Sequence, residues 1–185
     1  MRGAQRGQKG FSLVELVAVL VVVSVLAVVL VKLSIDYAEE AEKTAMEQVV
    51  VNVRAALHLR IAGLIARNAY ASIPALAGQN PMEWLSDRPH SYAGAIYGVA
   101  PRELAPPQSW YYDTRAAELV YRPARTRHLR IDDDANVDDA NVEKEIRFKV
   151  LIEQGPLPGV EAVGLRGIRR AVIIPVSTYQ WSIGS

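Results

Sequence analysis

Twelve residues, Asp132 to Glu143, read "DDDANVDDANVE" and gather the chain's densest run of metal-capable oxygens. Asp132, Asp134 and Asn136 alternate, Asp138 follows, and Glu143 is the twelfth residue of the run. Hard oxygen ligands at alternating positions can wrap one Ca²⁺, and the cation also cancels the repulsion between them. Position six, however, is Val137, where the sharp turn of a helix-flanked calcium loop uses Gly. The flanking runs also look like strands. The second reading is a solvated hairpin loop whose charge keeps strand edges from pairing with other chains. On these residues alone, both readings stand.

Little else in the chain has the spacing of reactive chemistry. Cysteine is absent, which excludes disulfides, thiol catalysis and cysteine-based zinc or iron–sulfur sites. His58, His90 and His128 fall on a helix, a loop and a strand, without metal-ligand spacing. No nucleophile elbow, phosphate loop, dinucleotide fingerprint or zinc-protease pattern occurs. "GLRGIRR" combines glycines with basic residues but does not join a strand to a helix. Arg166, Arg169 and Arg170 are therefore expected on a solvated or subunit-contact face. Lys and Arg total 21 against 20 Asp and Glu, so the basic excess of a nucleic-acid wrapper is missing. No enzyme is expected.

The informative carboxylate lies elsewhere. From Phe11 to Val31 the chain reads "FSLVELVAVLVVVSVLAVVLV", 21 residues with Glu15 the only charge. As a helix this run is about 32 Å long, close to the hydrocarbon core of a bilayer. A carboxylate inside a lone membrane helix costs roughly 2.5 to 3.5 kcal/mol, so Glu15 calls for a partner. Ahead of the run, residues 1 to 10 hold Arg2, Arg6 and Lys9 and no acid, which keeps that end cytoplasmic. A secretory signal peptide would have a shorter apolar core and a small-residue cleavage site. An ordinary single-span anchor accounts for the length and leaves Glu15 unexplained.

No Pro or Gly interrupts the chain from Phe11 to Ala62, so the helix is predicted to run on to about Asn68. Beyond Lys32, apolar residues recur at spacings of three and four: Met46, Val49, Val50, Val53, Leu57, Ile61, Leu64 and Ile65. That stripe should pack on the protein's own sheet. Glu39 and Lys43 are placed to pair at i, i+4 on the polar side. Residues 69 to 110, rich in Pro, predict turns and a short helix near Met82 to Leu85. Strand-like runs follow at "SWYYD", "AELVYRP", "RHLRI", "EIRFKVLIEQ" and "RRAVIIPVSTYQW", with Pro175 marking an edge or a bulge. "GPLPGVEAVGLRG" reads as a loop. The expected fold is α+β: one long N-terminal helix packed on an antiparallel sheet of about four strands.

"KGFSLVELV", residues 9 to 17, resembles the prepilin signature of the type IV pilin and pseudopilin superfamily. The basic leader ends at Gly10, Phe11 follows, and Glu15 is the fifth residue after that junction. "SWYYDTRAAELVYRP" is similar to a hairpin of several pilin-like proteins. The resemblance implies cleavage between Gly10 and Phe11 by a prepilin peptidase, with methylation of the new Phe11 amine. It also implies that Glu15 pairs with the Phe11 amine of a neighbouring subunit in the filament core. Four segments follow from it: a leader (1–10), a membrane and filament-core half-helix (11–33), an amphipathic half-helix (34–68) and a globular head (69–185). The implied partners are the peptidase, other pilin or pseudopilin subunits, an inner-membrane assembly platform and the lipid bilayer. The implied location is the inner membrane, single-pass, with the leader cytoplasmic and the head periplasmic. The lack of a cysteine pair leans toward a pseudopilin or minor pilin of a type II secretion system. A type IV pilus subunit and a bitopic calcium-binding surface protein are the alternatives. Calcium at the acidic loop is the one cofactor candidate.

Overall fold

The computed structural model of the chain describes residues 12–132, 144–156 and 166–182. Contacts divide the chain into two compact units, Met1–Ala38 and Glu39–Ser185, with helix α1 (Leu13–Ala66) contributing to both.

In the first unit, every side chain from Ser12 to Ile35 is exposed, including Leu13, Leu20, Val25 and Leu30. An apolar surface this long would be costly in water, and by length and composition the helix can cross a membrane. Ser24 and Ser34 of this stretch are already satisfied. Ser24 Oγ donates to Leu20 O at 2.7 Å and Ser34 Oγ to Leu30 O at 2.8 Å, so neither hydroxyl needs water.

In the second unit the helix is amphipathic, as its stripe predicts. Met46, Val53 and Leu57 are fully buried, and Val49, Val50, Ile61 and Leu64 pack beside them. Ile65 departs from that pattern: at 42% exposed, it lies at the fraying end of the stripe. The stripe covers a sheet made of β1 (Tyr92–Ile96), β2 (Ser109–Asp113), β3 (Glu118–Arg122), β5 (Ile146–Pro156) and β6 (Arg166–Pro175), in the order β1-β2-β3-β5-β6. Met46 and Val53 meet Trp110, Leu119, Tyr121 and Phe148 from its near face. Trp110 stacks tilted on Tyr121 at 4.8 Å between ring centroids. Leu57 meets Val150, together with Ile73 and Leu76 from the turns that follow the helix.

The sheet differs from the expected antiparallel meander in two ways. Strand β1 lies parallel to β2, pairing Tyr92 with Trp110 and Ile96 with Asp113, so the sheet is mixed. Strand β4 (Leu129–Asp132) leaves it and pairs antiparallel with β7 (Thr178–Trp181) in a separate two-stranded sheet. The C-terminal run thus divides at Pro175, which cannot donate to a ladder and ends β6 at the sheet edge. Strands β5 and β6 also extend through Gly155 and Gly167, into the stretch expected to be loop. The far face of the sheet is not left to solvent. Tyr111 and Val120 pack under Ala100 and Ala105 of the β1–β2 connection, and the Arg122 guanidinium donates to the carbonyls of both alanines. Strands β2 and β3 are therefore covered on both faces, which explains runs as apolar as "SWYYD" and "ELVYR".

Candidate functional site

The candidate site is α1 itself, beginning with its first turn. Ser12 caps the helix: its hydroxyl accepts from Val14 N at 3.3 Å and its carbonyl from Leu16 N at 3.1 Å. Glu15 then stands in the first turn, where the positive end of the helix dipole favours a carboxylate. "SLVE" has the spacing of a capping box, a second local reason for Glu at this position that the apolar context hides. Among the described residues, Glu15 is exposed and makes no hydrogen bond or ion pair. Gly10 and Phe11, the expected processing junction, lie outside the described residues.

Two further carboxylates tie α1 to the sheets, and sequence reasoning missed this role. Glu39 is 1% exposed. It accepts from His128 N at 3.0 Å and from the Trp181 indole at 2.9 Å, and it meets His128 Nδ1 at 2.9 Å. One side chain thus holds both strands of the β4–β7 sheet, since His128 precedes β4 and Trp181 ends β7. One turn on, Glu42 accepts from Tyr121 Oη at 3.1 Å, Ala124 N at 2.7 Å, Gln108 Nε2 at 3.2 Å and Arg125 Nη1 at 3.2 Å. The expected Glu39–Lys43 pair does not form; Lys43 lies 3.9 Å from Glu40 instead. A signal was present, because residues 39, 42, 46, 50, 53 and 57 share the three-and-four spacing of the apolar stripe. Charge masked that phase.

The electrostatics follow from this packing. Burial pushes the Glu39 carboxyl upward, but the His128 N–H, the Trp181 indole and the His128 ring outweigh it and hold its pKa low. Burial also raises the Tyr121 phenol, with the adjacent Glu42 carboxylate adding to the shift, so Tyr121 stays a proton donor. On the far side of the sheet, Arg147 bridges Glu145 at 2.8 Å, Glu118 at 3.2 Å and Asp113 at 3.4 Å. Tyr111 donates to Glu145 at 3.0 Å, and burial with that carboxylate pushes its pKa up to about 12. These groups are saturated by structural partners rather than poised toward a reacting molecule.

Of the candidate calcium ligands, Asp132 ends β4 and is exposed, while Asp134, Asn136, Asp138 and Glu143 lie outside the described residues. Among the described residues no cluster of three metal-ligating side chains occurs. His58 and His90 are separate and exposed, and His128 is engaged by Glu39. Arg169 and Arg170 are exposed on the edge strand β6, where charge discourages edge pairing.

No curated protein and no solved structure matches the chain. One protein family does: residues 5–31 match the prokaryotic N-terminal methylation motif. The matched span runs from Gln5 through Arg6, Lys9, Gly10, Phe11 and Glu15 to Val31. Over those residues the chain therefore carries the type IV pilin and prepilin signature, placed on a long N-terminal helix that packs, in its second half, against a mixed sheet.

Proposed function

We propose that the chain is a structural subunit of a type IV pilus-like filament, specifically a pseudopilin or minor pilin of a type II secretion system. The observation that carries this reading is the methylation motif on a helix with two different halves. From Leu13 to Val31 every side chain is exposed, and among the described residues Glu15 has no partner. From Glu39 onward it belongs to a compact head. Such a chain has one surface for lipid and then for other stems, and a head that is finished without them.

In this reading a prepilin peptidase cuts between Gly10 and Phe11 and methylates the Phe11 amine. The stem waits in the inner membrane with the head on the periplasmic side, and an assembly platform then drives it into the filament. There Glu15 meets the Phe11 amine of a neighbour. An unpaired charge in that apolar core would cost several kcal/mol, so the pair enforces the axial register of successive subunits. The chain is the peptidase's substrate and carries out no reaction itself.

A type IV pilus uses the same stem and is the alternative. The absence of cysteine removes the C-terminal disulfide loop common in major pilins and favours the secretion assignment. A deletion strain distinguishes the two machines. Loss of enzyme secretion with unchanged surface filaments fits the pseudopilin; loss of sheared surface filaments with normal secretion makes the chain a pilus subunit.

A further inference from the structure

Between the last turns of α1 and the turn at Pro81–Trp84 runs an open groove of about 460 Å³. Its helix wall is made of Ala55, Ala56 and Gly63, whose small or absent side chains let another backbone come close. Leu59, 75% exposed, supplies an apolar rim, and Trp84 and Leu85 face it. The same wall carries Arg60, and Arg67 follows in the turn just past the end of α1. Arg67 folds back over Gly63, where an added Cβ would stand 3.7 Å from a guanidinium nitrogen. Among the described residues neither arginine makes an ion pair or hydrogen bond. The one carboxylate lining the groove, Glu83, accepts from Asn80 Nδ2 at 3.4 Å. Among the described residues the groove is thus basic, partly apolar and without a charged occupant.

A complementary segment exists in the same sequence. Residues 133–142 read "DDANVDDANV", one five-residue unit written twice, and Asp132 and Glu143 flank them. Residues 132–143 contain six carboxylates and no basic residue. Each unit offers adjacent carboxylates for one guanidinium fork and a valine for apolar surface such as Leu59 and Trp84. The two units offer one acidic pair to each of the two arginines. We propose that this groove receives the acidic segment 132–143 of a second copy of the chain. The proposal rests on the filament-subunit reading, which brings copies together at high effective concentration.

Because the chain has no cysteine, two introduced thiols report one contact. Two differently tagged full-length copies are expressed together in a host with its prepilin peptidase and assembly machinery. One carries Leu59→Cys in the groove and the other Asn136→Cys in the acidic segment. Mild oxidation should give a mixed-tag disulfide dimer. Arg60→Glu with Arg67→Glu in the groove copy should cut its yield at least about tenfold, a difference of about 1.4 kcal/mol. Asp134→Lys with Asp138→Lys in the other copy should restore it.

A parallel pair of copies bearing Val19→Cys in the stem reports assembly by itself. Stem dimers without the mixed dimer would overturn the groove proposal and leave the subunit reading intact. Neither dimer would remove both. A mixed dimer indifferent to charge reversal would also contradict the proposed recognition. So would closure of Leu59→Cys onto Asn136→Cys within one doubly substituted chain, which would make the occupant the chain's own segment.

Discussion

At the residue scale, three carboxylates on one helix do different work because their surroundings differ. Among the described residues Glu15 has no partner on its apolar surface, whereas Glu39 and Glu42 are each held by several donors. If Glu15 pairs with a neighbour's N-terminus, Glu15→Gln should insert and be processed normally but assemble about tenfold less or worse. Comparing filament-incorporated with membrane-resident subunit measures this, and equal incorporation would remove the assigned role. Glu39 acts inside the head. Its pKa is lower folded than in the free chain, so the unfolded state binds the proton more readily. Its contribution to stability is therefore complete above the ordinary carboxyl range and fades as pH falls below about 4.5, through the lowered folded value. Asp113, buried yet held low by the N–H groups of Ala116, Arg115 and Gly98, adds a loss of the same sign. In a chain lacking residues 1–33, Glu39→Gln should cost about 1.5 to 3 kcal/mol at neutral pH, the scale for hydrogen bonds to a buried charge. It should also flatten the fall in melting temperature between pH 5 and pH 3. A variant as pH-sensitive as the parent would place the acid sensitivity elsewhere.

At the element scale, what could be read from the sequence tracked how regular the apolar pattern was. The helix stripe and β5 were legible from their apolar periods, β2 to β4 as short runs rich in aromatic and branched residues, and the Pro81–Trp84 turn from its prolines. Strand β1 was not: "YAGAI" has two alanines and a glycine, and Gly94 sits at a φ of +109°, open only to a residue without a side chain. Its parallel pairing depends on the β1–β2 connection, a long-range feature no local period encodes. Glu39 and Glu42 were illegible for the opposite reason, since acids on a helix ordinarily face water and their partners lie 66 to 142 residues away. Leu57 provides the element-scale test. It is fully buried between Val150, Ile73 and Leu76, so Leu57→Asp puts an unpaired charge in the core. In the shortened chain this should cost more than about 3 kcal/mol and unfold the head. Arg60→Asp, exposed one turn away, should stay within about 0.5 kcal/mol of the parent in the monomer, whatever it does to assembly. If Leu57→Asp melts like the parent, the stripe does not hold the sheet.

At the scale of the whole molecule, the chain joins an apolar half-helix that buries nothing to a head that completes its own core. Met46, Val53 and Leu57, fully buried at about 1.5 to 3 kcal/mol each, with Val49, Val50, Ile61 and Leu64 packed beside them, stabilise the head beyond what helix propensity supplies. The core residues of the head all lie within Glu39–Ser185, so removal of residues 1–33 is expected to leave it folded, and the surroundings proposed for the stem are lipid and then other stems. Everything proposed for the stem depends on one event: removal of the basic leader, which frees an amine for Glu15 to meet. Intact-mass measurement of the protein from a host with its prepilin peptidase tests that event most directly. The expected species begins at Phe11 and carries one added methyl group. A full-length chain, or one cut near Ser34 as an exported head, would contradict the account.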